Sequence, residues 1–309
     1  MPKIAPMKSN QIKISPNGPI FSRIVAGVWK WGAWGWNLNT QQHLTLIKKC
    51  LDYGVTTFDH ADIYGDYTSE GDFGRALKLE PSLRNKMQIV TKCGIKLITP
   101  NRPSHKVKSY DTSKKHILWS VENSLKELNT DYIDLLLIHR PSPLMNADEI
   151  AEIFQRLKKE GKVLHFGVSN FTPSQFKLLE NRVDLVTNQI ELHLMRPKPF
   201  FDGTLDLCQR LRTAPMAWSP LTSGKIFKDL DSKPVRRIIA AAGDMLEKYN
   251  IELDQLLLAW LLKHPANIIP VLGTAREERI KAAVDALEID ITREEWFTLW
   301  EASLGKEVP

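Results

Sequence analysis

Three polar residues end short apolar segments of the chain, and a fourth follows closely behind one of them. Asp59, Lys92 and His139 each end a run of residues that is predicted to form a buried strand, and Tyr64 comes five positions after Asp59. Each residue alone has an ordinary explanation. Asp59 and Tyr64 could be loop residues, Lys92 a solvated side chain at the barrel rim and His139 a structural histidine. Their occurrence together, at or just after neighbouring strand ends, favours a reactive site.

These four groups suit proton transfer to a carbonyl oxygen. A phenol titrates near pH ~10 when unperturbed, so Tyr64 needs help to donate a proton at neutral pH. The ammonium of Lys92 favours the phenolate and lowers the phenol pKa, and Asp59 holds Lys92 charged and in place. His139 would orient the carbonyl and stabilise the developing oxyanion. No side chain supplies a hydride, so a nicotinamide must provide it.

Eight predicted strands alternate with helices, and this alternation decides where the four groups lie. The strands are predicted at 24–29, 55–59, 88–92, 132–139, 163–169, 185–191, 214–219 and 267–272. Helices are predicted at 40–53, 69–79, 112–128, 147–160, 173–181, 203–212, 235–249, 253–263, 277–287 and 292–303. Such alternation is typical of parallel βαβ units. Reactive groups then gather at the carboxyl ends of the strands, where Asp59, Lys92 and His139 lie.

The predicted fold class is α/β, as a (β/α)8 TIM barrel. Residues 11–22 form a predicted β-hairpin around Pro16-Asn17-Gly18, which would plug the barrel floor. Extra helices are expected near the C-terminus. No linker divides the chain, so residues 1–309 are expected to form one domain. An open doubly wound sheet is the alternative, but no G-x-G-x-x-G motif follows the first strand.

Composition restricts the class of protein and its compartment. The 309 residues carry a net charge of +6, with 43% hydrophobic and 25% charged residues, and the Lys and Arg residues are scattered. Neither a nucleic-acid partner nor a membrane span is expected. Three separated cysteines form neither a disulfide framework nor a metal motif, and residues 1–4 do not begin a signal peptide. A cytoplasmic protein is therefore expected.

The four candidate residues and the segments around them resemble the catalytic tetrad of the aldo-keto reductase superfamily. The resemblance continues through residues 167–171, 187–189, 218–221 and 273–274, and it covers nearly the whole chain. Segments 58–65 and 296–309 resemble a bacterial oxidoreductase branch of that family. The resemblance implies a barrel that binds NADP(H) in an extended pose, without a Rossmann fold. It also implies a monomer that acts on a small-molecule carbonyl substrate.

The resemblance assigns the nicotinamide end of the cofactor to four residues. Ser169, Asn170 and Gln189 match the positions that hydrogen-bond the carboxamide, and Trp218 matches the aromatic residue that stacks on the ring. The first three lie at or near the ends of neighbouring predicted strands and offer amide or hydroxyl groups. A core tryptophan is the alternative for Trp218, but Trp rarely fits inside the small layered core of such a barrel.

The loop after the seventh predicted strand resembles the segment that folds over the pyrophosphate. Its candidate residues are Ser219, Leu221, Ser223, Gly224 and Lys225. Small residues and hydroxyls permit close backbone approach, and the lysine adds a positive charge. An ordinary flexible connection is the alternative.

The 2′-phosphate is expected just after the last predicted strand. Gly273 and Thr274 open the last core helix, where backbone N–H groups and the helix dipole favour an anion. Arg276 and Arg279 are in reach, and Arg279 matches the phosphate-binding arginine of the family. Many members bind adenine with Glu-Asn shortly after that arginine, whereas this chain has Ala282-Ala283. Adenine must be held more loosely or by other groups.

Four tryptophans follow the first predicted strand. Trp29, Trp31, Trp34 and Trp36 fall where aldo-keto reductases form one wall of the substrate pocket. The functional interpretation is an aromatic wall for a carbonyl compound. The alternative is a hydrophobic lid packed on the barrel, which would account for two of the four.

Two other functions remain open at this level. One is a redox-sensing protein that binds NADP with little turnover, although the intact set of four candidate groups disfavours it as the sole role. The other is a metal-dependent hydrolase, with His60 and Asp62 near Asp59. No metal is expected, because one histidine with carboxylates is a weak ligand set.

Overall fold

The computed structural model describes residues 10–308, so the prediction about residues 1–4 lies outside it. The strands within this range are numbered in chain order. They are β1 (Gln11–Lys13), β2 (Ile20–Ser22), β3 (Val25–Gly27), β4 (Thr57–Asp59), β5 (Gln88–Cys93), β6 (Ile95–Lys96), β7 (Ser109–Tyr110), β8 (Ile133–Ile138), β9 (Val163–Ser169), β10 (Asn188–Glu191), β11 (Met216–Trp218) and β12 (Ile269–Leu272).

Eight of these strands form a closed parallel barrel. Their order is β3, β4, β5, β8, β9, β10, β11 and β12, and β12 pairs with β3 to close the ring. Every residue of β8 is buried, because the barrel interior covers one face of the strand and helices cover the other. Each barrel strand lies within its predicted segment, apart from one additional residue at the end of β5. The predicted (β/α)8 barrel is confirmed.

Helices follow the strands and surround the barrel. They are α1 (Thr40–Asp52), α2 (Tyr64–Tyr67), α3 (Ser69–Leu79), α4 (Lys114–Glu127), α5 (Ala147–Lys159), α6 (Pro173–Glu180), α7 (Thr204–Leu211), α8 (Lys233–Tyr249), α9 (Leu253–Leu262), α10 (Glu277–Asp285) and α11 (Arg293–Leu304). No helix within residues 10–308 is long and apolar enough to cross a membrane. The extra C-terminal helices are present, and α11 packs against α8.

Local sequence explains where several helices begin. Thr172 caps α6 by accepting from the backbone of Gln175, whose side chain accepts in return from the Thr172 backbone. Pro173 occupies the first helical position, where its missing N–H costs nothing. Asn146 caps α5 in a similar way, by accepting from two backbone N–H groups of the first turn.

The predicted hairpin closes the amino end of the barrel. β1 and β2 pair antiparallel, and Ile14, which follows β1, and Phe21, within β2, are fully buried. Both side chains pack with inward-facing residues of the barrel, among them Val25 and Val90. The backbone N–H of Ala214 donates to the carbonyl of Ile14 at 2.7 Å, which ties the hairpin to the barrel wall. The hairpin plug is therefore confirmed.

The segment between β5 and α4 differs from the predicted polar loop. β6 and β7 form a short antiparallel pair within it. The phenol of Tyr67 accepts from the backbone N–H of Leu97 at 3.0 Å, which fixes this segment against α2. Strands of two residues carry too little pattern to be recognised from sequence.

The three cysteines are free and buried in separate parts of the barrel. Cys50 lies on α1, Cys93 ends β5 and Cys208 lies on α7. Burial raises the pKa of Cys50 and Cys208 to about 12 and that of Cys93 well above its ordinary value. These thiols stay protonated and inaccessible in the folded protein.

Candidate active site

The ammonium of Lys92 is the centre of the candidate site. It donates to Asp59 Oδ2 at 2.6 Å, to the backbone carbonyl of His60 at 2.7 Å and to the phenol oxygen of Tyr64 at 3.2 Å. An ammonium has three protons, so these three acceptors use all of them. Lys92 is only 1% exposed and Asp59 2%. The two charges therefore lie in a position that solvent barely reaches.

Strand geometry places Asp59 and Lys92 inside the barrel. Asp59 pairs with Val90 across β4 and β5, and Val90 is part of the barrel interior. Side chains two residues apart on a strand share a face, so Lys92 points inward as well. His60 and Thr91 alternate with them and point toward the surrounding helices. His60 contributes to the site through its backbone carbonyl alone.

Tyr64 reaches Lys92 because the chain turns sharply after β4. Tyr64 begins the short helix α2, in which Gly65 and Asp66 have left-handed φ values of 59° and 56°. A Cβ at Gly65 would lie 2.6 Å from Ser69 Oγ, so space as well as φ favours glycine there. The turn directs the phenol back over the end of β5.

The pKa of Tyr64 differs in direction from the sequence-based expectation. Burial is the largest influence and raises the pKa above its ordinary value, while the Lys92 ammonium acts in the opposite direction. Asp59 partly cancels that effect by raising the pKa. The phenol therefore stays protonated at neutral pH. A proton donor needs this protonation state before reaction.

Lys92 and His139 take opposite charge states in this buried site. Burial acts to lower the Lys92 pKa, but Asp59 and Tyr64 together hold it above its ordinary value. Burial, followed by the charges of Lys92 and Arg140, holds the His139 pKa well below its ordinary value. The His139 ring is neutral and lies edge-on to Tyr64, with ring centroids 6.1 Å apart. It can therefore donate a hydrogen bond without adding a second cation.

Three of the four residues predicted at the nicotinamide end are linked by side-chain hydrogen bonds, and the fourth bonds to Asp59. Trp218 Nε1 donates to Asn170 Oδ1 at 3.0 Å, and Asn170 Nδ2 donates to Ser169 Oγ at 2.7 Å. Gln189 Nε2 donates to Asp59 Oδ1 at 2.7 Å. Asp59 therefore joins the proton-transfer residues to the predicted carboxamide site.

A cavity of about 640 Å³ extends away from these groups along the carboxyl end of the barrel. Its size falls in the range of small-molecule sites. Three of the four proton-transfer candidates line it, whereas Lys92 lies beneath it. The predicted cofactor residues that line it are Ser169, Asn170, Gln189, Trp218, Ser219, Leu221, Ser223, Gly224, Gly273, Thr274, Arg276 and Arg279. Lys225 is exposed and points elsewhere, and Lys228 lines the cavity instead.

The loop after β11 is folded rather than extended. Ser219, Thr222, Ser223 and Gly224 all have left-handed φ values between 54° and 81°. The Ser219 and Ser223 hydroxyls lie 2.7 Å apart, and the fully buried Ile226 anchors the loop. The compact turn presents small residues and hydroxyls to the cavity.

The far end of the cavity is lined by arginines. Arg276 and Arg279 both reach it, and no carboxylate in residues 10–308 forms an ion pair with either. Helix α10 begins at Glu277, with Arg276 as its N-cap, so Gly273 and Thr274 precede the helix rather than open it. A segment without regular secondary structure, rather than the first turn of a helix, therefore contributes Gly273 and Thr274 to the cavity lining.

The four tryptophans of the first loop separate into different environments. Trp29 and Trp36 line the cavity. Trp34 packs outside it, with its ring 6.1 Å from that of Tyr64. Trp31 is fully buried beside Phe58 and forms no part of the pocket, contrary to the expected substrate wall. The backbone folds back between Lys30 and Trp36, where Trp36 N donates to the Lys30 carbonyl. This turn buries Trp31.

Several cavity residues were missed from sequence. The Arg140 guanidinium lies 5.6 Å from the Trp218 ring centroid, and its position directly after His139 was an available signal. Asp254 and Leu258 line the same cavity, beside Ala283 of α10. Asp254 and Leu258 lie on α9, and nothing in the sequence connects that helix to the cavity.

His60 and Asp62 do not form a metal site with Asp59. No group of three or more His, Cys, Asp or Glu side chains in the described part of the chain is arranged to hold a metal ion. His60 is buried against Phe73, with ring centroids 4.5 Å apart, and its ring nitrogens have no hydrogen-bond partner. Burial is the main cause that holds the His60 pKa well below its ordinary value.

The sequence and the fold both match known proteins. The Aldo/keto reductase family model matches residues 23–303. The chain is 48% identical to the oxidoreductase YdhF of Escherichia coli, over 97% of this chain and 99% of YdhF. It is 45% identical to a 6-dehydroglucose reductase of Agrobacterium fabrum, over 93% of this chain and 96% of that protein. The bacterial branch expected from sequence is confirmed.

A solved structure gives the same result for the fold. The aldo/keto reductase of Klebsiella pneumoniae, in complex with NADP and acetate, superposes with a TM-score of 0.75 at 26% identity, over 96% of this chain and 97% of that one. The family model covers most of the chain, and the barrel and cavity are consistent with it. The protein belongs to the aldo/keto reductase family of oxidoreductases.

Proposed function

We propose that the protein is an NADP(H)-dependent reductase of aldehydes or ketones, in which Tyr64 is the proton donor. The observation that carries the proposal is the placement of Lys92 between Asp59 and Tyr64 at one end of an extended cavity. A buried ammonium that contacts a phenol stabilises the phenolate left after proton donation. This arrangement serves chemistry in which an oxygen atom gains a proton.

Each group has a separate role in the proposed reaction. Tyr64 gives its proton to the carbonyl oxygen, and Lys92 stabilises the resulting phenolate. Asp59 keeps Lys92 charged and positioned. Neutral His139 donates a hydrogen bond to the same oxygen, which stabilises developing negative charge. The carbonyl must therefore lie within reach of both Tyr64 and His139.

The donor set of the cavity fits NADP(H). Ser169, Asn170 and Gln189 offer amide and hydroxyl groups near Tyr64, and Trp218 offers an indole face beside them. At the far end, Arg276 has no carboxylate partner among the described residues and so suits a phosphate. When bound, the nicotinamide would supply the hydride. The Klebsiella pneumoniae structure, which contains NADP, supports this choice of cofactor.

The test combines cofactor binding with turnover. NADPH should bind, and its absorbance should fall when carbonyl compounds are added. The panel should begin with 6-dehydroglucose, because a relative is named as its reductase. Binding without turnover of any carbonyl would favour an NADP-sensing protein, and no binding would remove both interpretations.

The proton-donor assignment is tested by Tyr64→Phe. This change removes only the phenol oxygen, so it should lower kcat by about 10²–10⁴-fold while leaving the Kd of NADPH close to wild type. Tyr132→Phe is a matched control, because Tyr132 lies next to Arg84 at the opposite end of the barrel. A normal reduction rate in Tyr64→Phe would show that the donor is another group.

A further inference from the structure

The tryptophan loop contacts the connection between β12 and α10 at three successive points. Each contact joins one tryptophan to one residue of the segment 273–276, where the 2′-phosphate is expected. Trp29 Nε1 lies 2.9 Å from the position of a Cβ at Gly273, Trp31 Nε1 donates to the Thr274 carbonyl at 2.9 Å, and the Arg276 guanidinium lies 5.2 Å from the Trp36 ring centroid. The loop therefore follows the cofactor end of the cavity as well as the substrate end.

The hydrogen bond from Trp31 fixes the backbone of this segment, and the Trp29 indole leaves no room for a side chain at Gly273. Trp31 is fully buried among Phe58, Phe73 and His43, so its indole N–H is a rigid donor. Its bond to the Thr274 carbonyl holds the chain one turn before α10. The segment is therefore already ordered in the free protein.

The third contact concerns a side chain at the cavity. Trp36 and Arg276 both line the cavity, and Trp36 is 50% exposed. No carboxylate in residues 10–308 pairs with Arg276, so its contact with the ring is the interaction that restricts the guanidinium. A cation above an aromatic ring is attracted by the ring's negative face. Without this ring, Arg276 would sample many rotamers.

We propose that Trp36 is a positioning residue for the cofactor, which holds Arg276 ready for the 2′-phosphate and so favours NADPH over NADH. This inference rests on the proposed function. It moves Trp36 from the expected substrate wall to the cofactor end of the site. The 2′-phosphate then meets a guanidinium that has already lost much of its rotamer freedom, so binding costs less entropy.

The experiment is a double-mutant cycle on nucleotide affinity. Calorimetry measures the Kd of NADPH and NADH for wild type, Trp36→Ala, Arg276→Ala and the double variant. Trp36→Ala should weaken NADPH binding about two- to fivefold, the range expected for an exposed cation–π contact, and leave NADH within about 1.5-fold. Arg276→Ala should weaken NADPH binding further. The double variant should bind as the Arg276→Ala variant does, because Trp36 acts through Arg276.

A matched control is available on α4. Trp119 is 43% exposed and lies beneath Arg102, with the guanidinium 5.3 Å from its ring centroid. It does not line the cavity, so Trp119→Ala should leave both affinities unchanged. In steady state, Trp36→Ala should raise KM for NADPH and leave kcat unchanged.

Several results would overturn the inference. One is an equal loss of NADPH and NADH affinity in Trp36→Ala, which would place Trp36 against a part shared by both nucleotides. Others are no loss at all, or losses that add fully in the double variant. Wild-type protein that binds neither nucleotide would overturn both this inference and the proposed function. Wild-type protein that binds NADPH but reduces no carbonyl would overturn the proposed function alone.

Discussion

Buried carboxyl groups lie on both faces of strands β4 and β5, and the two faces differ in what surrounds these groups. On the inner face, Asp59 forms an ion pair with Lys92 at 2.6 Å. On the outer face, Asp62 and Glu70 lie between the barrel and helices α3 and α4, where burial raises the pKa of Asp62 to about 8 and that of Glu70 to about 7. Burial is similar on both faces, but among residues 10–308 a cation forms an ion pair with the carboxylate of the inner face and none does so with Asp62 or Glu70.

The outer cluster is held by hydroxyl groups. Thr91 Oγ1 donates to Glu70 Oε1 at 2.6 Å, and Ser124 Oγ donates to Glu70 Oε2 at 2.9 Å. Ser120 Oγ donates to Asp62 Oδ2 at 2.7 Å. These bonds lower both pKa values but do not offset burial, which is reinforced by the charge of Glu70 at Asp62 and by that of Glu127 at Glu70. Asp59, Asp62 and Glu70 are therefore buried to a similar extent but differ in their partners: Asp59 has a cation, whereas Asp62 and Glu70 have hydroxyl groups.

The largest effect is expected from Lys92→Met on the inner face. Removing the ammonium leaves Asp59 buried without a counter-charge, which should lower the free energy of unfolding by about 3–5 kcal/mol and abolish turnover. Adding Asp59→Asn should restore most of the stability but none of the turnover. Urea unfolding and kcat measure the two effects. A Lys92→Met variant with the wild-type free energy of unfolding would mean that the ion pair does not contribute to the stability of the inner face.

An intermediate effect is expected from Glu70→Gln on the outer face, and it depends on pH. Because the folded pKa of Glu70 is raised from 4.5 to about 7, its contribution to stability is fully present below pH 4.5 and is lost as the pH rises through 7. This contribution to the wild-type free energy of unfolding should therefore fall between about pH 4.5 and about pH 7. In the variant this fall should be smaller, by on the order of 3 kcal/mol.

Urea unfolding at a series of pH values measures this difference. Glu122→Gln is the control, because Glu122 is an exposed partner of Lys162 and should leave the slope unchanged. Identical slopes in Glu70→Gln and wild type would mean that Glu70 is ionised in the folded protein.

The smallest effect is expected from Thr91→Val. The change removes the hydrogen bond that Thr91 donates to Glu70. Thr91 is next to Lys92 in sequence, but its side chain lies on the opposite face of β5. It should cost about 1–2 kcal/mol of stability and leave kcat within about twofold of wild type. Thr91→Ser keeps the hydroxyl and should retain most of the stability. A tenfold loss of kcat in Thr91→Val would show that the two faces are energetically linked, and the comparison would then fail.

Sequence predicted the barrel and the inner face well for a physical reason. Strand alternation puts Asp59, Lys92 and His139 at one rim, and residue type then limits the chemistry. The same pattern carries no information on how far water is excluded, so the direction of the Tyr64 pKa needed the structure. Outer-face partners such as Ser124 are separated from Glu70 by 54 residues and resemble ordinary helix residues in sequence.

Loop conformation was the other limit of prediction. Trp31 and Trp36 are five residues apart in one aromatic loop, yet one is fully buried and the other is half exposed. The difference comes from backbone hydrogen bonds, such as Leu38 N to the Trp31 carbonyl at 2.8 Å, which composition does not reveal. Periodicity fixes a side chain's direction in a strand or helix, but no comparable rule applies to an irregular turn.

The three buried thiols give the protein a built-in set of reporters of local opening. Cys50, Cys93 and Cys208 lie in α1, β5 and α7, so each reports on a different part of the ring. A thiol reagent can react only after the surrounding structure opens and the sulfur loses its proton. Labelling rates resolved by peptide would therefore rank these sectors by their opening free energies, with no substitution introduced into the chain.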